Sequence, residues 1–320
     1  MPLWLITDVD TELDYQRPGY KGKLGEANPS LLAGTKELLR CFKKFGIKAT
    51  FHIQEQSDPY FSILTRYPEI YEMVKEDSQE VSLHVHIKEA DYETRKQEIS
   101  AAFYRLKEHG YYVSAFKAGW YFTNEATIKV LEELGIKYDC SPQKNGAVGP
   151  VAFFTIPDSP YHPSYENVTK VGNAKILAIP ITNVRLGITI DKDNEREFER
   201  MKRGVGLLAA VSQEMEQPVI IYFTTHSWKP VEVNSSTLRT WEINRRDRFF
   251  ELALQTGART LNVSEAGEEW EAGGYTPYYL KLPDVLAEDM SFWNPRHHFG
   301  LGKYLAHALL KIKYELFGVI

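Results

Sequence analysis

Asp8 and Asp10 stand two residues apart where the apolar run Leu3-Trp4-Leu5-Ile6 ends, and His84 and His86 stand two apart after Val81-Ser82-Leu83. Side chains alternate between the faces of a strand, so each pair points to one side of its own strand. Two carboxylates facing one cavity call for a cation. Imidazole with carboxylate suits zinc or a similar first-row metal and leaves a coordination position for water. A lone Asp-x-Asp is a common string that also fits a capped turn or a surface pair bridged to a lysine. Both pairs together, at the tips of the first and third strands, make a metal site the stronger reading.

Positioning these side chains requires a parallel sheet, because parallel sheets gather functional residues at the carboxyl ends of their strands. Short apolar runs alternate with longer helical patterns, which indicates βα units. Strands are expected near 3–8, 47–53, 80–86, 113–118, 175–181, 218–225 and 258–262. Helices are expected to open at Asn28-Pro29 and to run near 58–76, 91–109, 124–134, 193–216 and 237–256, with Gly46, Gly135 and Gly257 as stops. The fold class read from this pattern is α/β: a distorted, incompletely closed (β/α) barrel of about seven parallel strands, with an open doubly wound sheet as the alternative. The barrel is expected over 1–265. Residues 266–320 form a C-terminal extension, a long loop followed by an amphipathic helix at 301–320 packed on the barrel. A second long loop spans 141–174, and such loops usually carry function or cover a site.

The chain has 320 residues, 43% of them hydrophobic and 25% charged, with a formal net charge of −5. That balance fits a globular protein and gives no overall attraction for nucleic acid. Cys41 and Cys140 are the only cysteines, without CxxC spacing, so neither a disulfide framework nor a cysteine zinc knuckle is expected. No run approaches the roughly 18 apolar residues of a membrane span, and the N-terminal run lacks the cationic start of a signal peptide. A cytoplasmic location is the expectation, with peripheral membrane contact through 301–320 the less favoured alternative to packing. The oligomeric state is left open.

Further segments carry a resemblance. Thr7-Asp8-Val9-Asp10, Lys48-Ala49-Thr50-Phe51, Glu80-Val81-Ser82-Leu83-His84, Phe116-Lys117-Ala118-Gly119-Trp120-Tyr121 and Thr225-His226-Ser227-Trp228 occur in the order of the motifs of polysaccharide deacetylases (NodB-homology, carbohydrate esterase family 4-like). Leu131 to Asp139 is similar to the segment that follows the family's third motif. The resemblance covers roughly residues 3–262. It is strongest to the branch that trims N-acyl groups from lipid-linked or nucleotide-linked sugars, whose Asp-x-Asp-Thr start is matched by Asp8, Asp10 and Thr11. The deformylases of arabinose-type lipid carriers also share the pair Gly119-Trp120.

The resemblance implies a metal-dependent hydrolase acting on linear amide C–N bonds, which removes an acetyl or formyl group from an amino sugar or a lipid-linked sugar conjugate. Asp10, His84 and His86 would hold a divalent ion, Zn2+ first, with Mn2+, Co2+ or Ni2+ as alternatives. Asp8 would be the base and His226 the acid, and the backbone near Trp120 or Tyr121 would face the oxyanion. Lys117 takes the place of the arginine that braces the catalytic aspartate, keeping the charge without the bidentate fork.

The sequence departs from the family elsewhere. The family's two histidines stand four apart, and Lys88 occupies that position, so His86 is a substitute ligand with Glu89 or His52 as alternatives. His52 replaces an aromatic residue and reads as a pocket or core histidine, expected with Trp120 and Tyr121 among the residues that bind substrate. The acidic partner of the last histidine has no counterpart at Ile179-Pro180-Ile181-Thr182. Two other readings therefore stand beside the hydrolase: a sugar-binding barrel with weak or no turnover, and a carboxylate-dependent glycosidase. Trp228, Trp241, Trp270 and Trp293 could stack on a sugar ring, although aromatic residues are more often core. Arg296-His297-His298 could reach over the site as a lid, with a solvated loop the favoured reading.

Overall fold

The first strand, β1 (Leu3–Thr11), is buried along its whole length, and its two faces have different work. A computed structural model describes residues 2–13, 29–87, 91–143, 156–181, 195–233 and 235–280. Seven strands follow β1: β2 (Ala49–Gln54), β3 (Glu80–Val85), β4 (Ala115–Ala118), β5 (Tyr138–Asp139), β6 (Leu177–Ala178), β7 (Val219–His226) and β8 (Arg259–Leu261). They form one parallel sheet in the order β6-β5-β4-β3-β2-β1-β7. The neighbour of β1 changes along its length: residues Trp4–Ile6 pair with β8 and residues Thr7–Thr11 with β2, while β7 runs along the opposite edge. Among the described residues β6 and β7 do not pair, so the barrel is incompletely closed, as expected.

The helices are α1 (Pro29–Phe45), α2 (Ile63–Arg66), α3 (Pro68–Glu76), α4 (Tyr92–Glu108), α5 (Glu125–Leu134), α6 (Glu195–Glu214), α7 (Thr240–Gln255) and α8 (Val263–Ala272). Most lie where periodicity and caps place them; α5, for example, opens on an Asn124/Thr127 capping box and stops at Gly135 in the left-handed region. The helix expected over 58–76 is divided into a short 3-10 turn, α2 and α3. Ser62 caps α2 by accepting from the Thr65 N–H, and Pro68, which has no N–H to donate, starts a new helix.

Three further expectations are corrected. The sheet has a two-residue β5 between β4 and β6, too short to give a periodic signal. The strand expected over 175–181 shrinks to Leu177–Ala178. The loop expected from 266 begins inside α8, which opens on an Asn262/Glu265 capping box. The 301–320 helix, Trp293 and Arg296-His297-His298 lie outside the described residues.

The even-numbered face of β1 runs from the base of the barrel to its mouth. Trp4 and Ile6 join Ile220, Tyr222, Tyr138, Leu177 and Ile179 in an apolar core, and α8 closes the base with Val263, Ala266 and Trp270. Trp270 is thus part of the core plug and is not available to stack on a sugar. On the outside, α1 and α7 cover the sheet through edge-to-face contacts of Phe42 with Phe51 and Phe250, and through Phe249 stacked on Phe223 at 4.8 Å. A solid base leaves the carboxyl ends of the strands as the place where polar side chains converge. Among the described residues no helix is long and apolar enough to cross a membrane.

Candidate metal centre and active site

Above the core, the inward faces of β1, β2, β3, β4 and β7 turn polar, and the polar groups lie at successive depths. Deepest is Asp8, fully buried. Its Oδ2 accepts from Lys117 Nζ at 2.9 Å and from the Tyr222 hydroxyl at 2.8 Å, and His52 Nε2 lies 3.3 Å away. His52 Nδ1 in turn lies 2.7 Å from Ser82 Oγ. Burial opposes the charge on Asp8, but Lys117 and His52 hold its carboxyl well below the usual carboxylate range.

One step toward the mouth, Asp10 Oδ1 lies 2.7 Å from Lys117 Nζ, which also donates to Thr224 Oγ1 at 3.1 Å. The buried ammonium therefore donates to Asp8 and Thr224 and is ion-paired with Asp10 as well. Burial disfavours that ammonium, and the two aspartates more than offset it, so the Lys117 pKa stands above the ordinary lysine value.

At the mouth, Glu12 continues the same alternation one residue past the end of β1. Its Oε2 lies 2.7 Å from His86 Nε2 and 3.4 Å from His84 Nε2, and its Oε1 lies 3.3 Å from His226 Nε2. The two Nε2 atoms of His84 and His86 are 2.9 Å apart. At that distance at least one presents a lone pair, and a cation would satisfy both. Among the described residues, Glu12, His84 and His86 are the group whose donor atoms could hold a metal ion, all within 4.8 Å of one another. The set fits a first-row divalent ion. Burial works to raise the Glu12 pKa, but the imidazoles of His226, His84 and His86 hold it well below the usual range. His86 is shifted down by burial, so its neutral, ligating form is favoured.

After β4 the chain makes a tight turn, Gly119–Tyr121, in which Trp120 and Tyr121 both have left-handed φ, 52° and 59°. Each such non-glycine residue costs about 1–3 kcal/mol, which the surrounding contacts must offset. The Trp120 ring packs edge-on against His86, with centroids 4.5 Å apart, and the Tyr121 ring lies 5.6 Å from Lys117 Nζ. Gly119 must be glycine because a Cβ there would lie 2.5 Å from the His86 ring. On the opposite side Trp228 packs on His226 at 4.7 Å.

The structure brings together nearly all the residues singled out by type and spacing, with a different division among them. Of the expected metal-binding set, His84 and His86 converge, but the carboxylate beside them is Glu12, while Asp10 pairs with Lys117. Asp8, expected as the base, is enclosed below. His52, expected to touch substrate, is fully buried against Asp8 and Ser82. Lys117 braces both aspartates. Glu89 lies outside the described residues. The carboxylate beside His226 is Glu12, at 3.3 Å, and none comes from 179–181. Tyr222 was also missed, although it shares one strand face with Thr224 and His226.

No family model and no curated protein matches the chain. Solved structures do. A Mycobacterium smegmatis protein described as a polysaccharide deacetylase aligns with a TM-score of 0.59 at 17% identity, over 88% of this chain and 95% of that one. A Parabacteroides distasonis protein described as a glycoside hydrolase/deacetylase aligns with a TM-score of 0.60 at 11% identity, over 86% and 72% of the two chains. At such identities the likeness is one of architecture: this chain has the incompletely closed barrel fold of the polysaccharide deacetylases.

Proposed function

We propose that the protein is a metal-dependent hydrolase that removes an N-acyl group, acetyl or formyl, from an amino sugar or sugar conjugate. The observation that carries this reading is the convergence of Glu12, His84 and His86 at the open end of the barrel, with a lysine-braced aspartate below them. Zinc is the favoured ion. When bound, it would polarise the amide carbonyl and make water acidic enough to attack near neutral pH.

The remaining work belongs to the chain's own side chains. Asp10 takes the proton of the attacking water as its oxygen bonds to the carbonyl carbon, a role that fits its place one step nearer the mouth than Asp8. Lys117 fixes Asp10 in position. As the C–N bond breaks, His226 gives a proton to the departing amine, since the nitrogen leaves poorly without one. Glu12 Oε1 orients the His226 ring. The turn at Trp120 and Tyr121 forms the wall against which the carbonyl oxygen develops charge. A cytoplasmic location and a lipid-linked substrate belong to the same proposal.

The test is hydrolysis of N-acetyl and N-formyl amino sugars by protein stripped with chelator and reloaded with Zn2+. The expected result is turnover that requires the ion and disappears in Glu12→Gln. Hydrolysis of glycosidic bonds that survives chelation would make the protein a glycosidase. Ion binding with no turnover on any N-acyl sugar would leave a sugar-binding barrel.

A further inference from the structure

The turn that carries Trp120 and Tyr121 in left-handed backbone is flanked on both sides by hydrogen bonds to a group outside the site itself. Asp139, the second residue of β5, is fully buried, and its two carboxylate oxygens reach the two ends of the turn. Oδ1 accepts from the Ser141 N–H at 2.9 Å and from the Ser141 hydroxyl, and the Ser141 Oγ in turn accepts from the Ala118 N–H at 2.8 Å, where the chain enters the turn. Oδ2 accepts from the Thr123 hydroxyl at 3.0 Å, where the chain leaves it. Between these anchors the Thr123 N–H donates to Tyr121 O at 3.0 Å, and Arg95, itself buried, donates to Phe122 O at 3.0 Å.

We infer that Asp139, Ser141 and Thr123 form a positioning unit, a carboxylate clamp that fixes the turn presenting Trp120 to His86 and Tyr121 to Lys117. A strained conformation persists only where its neighbours over-determine it, and here one carboxylate pins both ends. The unit contacts neither Glu12, His84 and His86 nor the reacting atoms, so none of its members is a catalytic residue. Its catalytic consequence rests on the hydrolase reading above. Loosening the clamp lets Trp120 drift from the ring of a proposed ligand and moves the wall facing the carbonyl oxygen. A displacement of about 1 Å at such a site costs on the order of 10²-fold in rate.

The experiment compares Thr123→Val, which keeps the volume and removes the hydroxyl, with Thr123→Ser, which restores the hydroxyl, and with Ser141→Ala. Each protein is labelled with fluorotryptophan, and the Trp120 resonance is identified by its loss in Trp120→Phe. Hydrolysis of N-acetylglucosamine oligomers by the Zn2+-loaded proteins is measured alongside. The Trp120 resonance is expected to shift in Thr123→Val and Ser141→Ala and to return in Thr123→Ser. Over the same series kcat should fall roughly 10- to 100-fold and recover, with KM changed far less. An unmoved resonance, or wild-type kcat in both hydroxyl-deleted variants, overturns the clamp. A resonance that follows the hydroxyl in a protein whose wild type hydrolyses nothing supports the clamp and overturns the hydrolase reading instead.

Discussion

Glu12 Oε1 lies 3.3 Å from His226 Nε2, which links the end of β1 to the end of β7 across the barrel mouth. The other oxygen of the same carboxylate faces His84 and His86. One side chain thus belongs both to the proposed ligand set and to the proposed acid.

Glu12→Gln and Asp10→Asn should therefore fail in different ways. Glu12→Gln is expected to bind Zn2+ at least about 10²-fold more weakly, a loss no smaller than removal of an outer-shell partner causes. Asp10→Asn should keep its metal stoichiometry and lose turnover. Metal content after dialysis, measured with the hydrolysis rate, separates the two. Loss of metal from Asp10→Asn would return Asp10 to the ligand set.

Lys117→Met should be strongly destabilising. It would leave Asp8 fully buried and Asp10 4% exposed without their cation, and breaking a buried ion pair by deleting one partner costs about 3–5 kcal/mol. Tyr222→Phe removes one hydrogen bond to the same buried carboxylate and should cost less, about 1.5–3 kcal/mol. Urea unfolding midpoints give the order; a Lys117→Met protein as stable as wild type would contradict it.

Gly119→Ala places a methyl 2.5 Å from the His86 ring, which must shift to accommodate it. The expected phenotype is a folded protein with weakened Zn2+ binding and a rate lowered on the order of 10²-fold. Isothermal titration with Zn2+ provides the check, and unchanged affinity would show that the ring does not need its present place.

Burial pushes the Asp139 carboxyl up to about 6 from an ordinary value of 3.8, against the donors Ser141 and Thr123. A group whose pKa is raised in the fold contributes stability that is full below the unfolded value and is lost as pH rises through the folded one. Wild-type stability should accordingly decline between about pH 4 and pH 7 relative to Asp139→Asn, by up to about 3 kcal/mol. Parallel stability profiles for the two proteins across that window would remove Asp139 as the source.

Much of the fold was legible because long elements carry periodic patterns and caps, as α1 and α5 do. What escaped was short or contradictory. β5 has two residues, and α8, despite the Asn262/Glu265 signature, contains Gly267 and ends against Gly273-Gly274. In the site, Asp8 and Asp10 were visible from their spacing, but Glu12 lies just past the last paired residue of β1, where alternation is no longer assured by pairing. The depth of each group was invisible for a different reason. Spacing tells which side chains share a face, while only the closed base and the reach of Lys117 across the sheet determine which of them meets solvent.

The alternation along β1 has a consequence for how this chain can vary. Trp4, Ile6, Asp8, Asp10 and Glu12 occupy one parity, so core, ion pair, proposed base and proposed ligand are written in a single reading frame of period two. Deleting or inserting one residue between Leu3 and Asp8 would shift that frame and carry every acidic group downstream to the outer face, against α1 and α7. A two-residue change would keep the parity but move each group to its neighbour's depth. Length in this strand is thus as constrained as composition, since the odd positions Leu5, Thr7, Val9 and Thr11 are buried as well and could not take up the displaced carboxylates without cost.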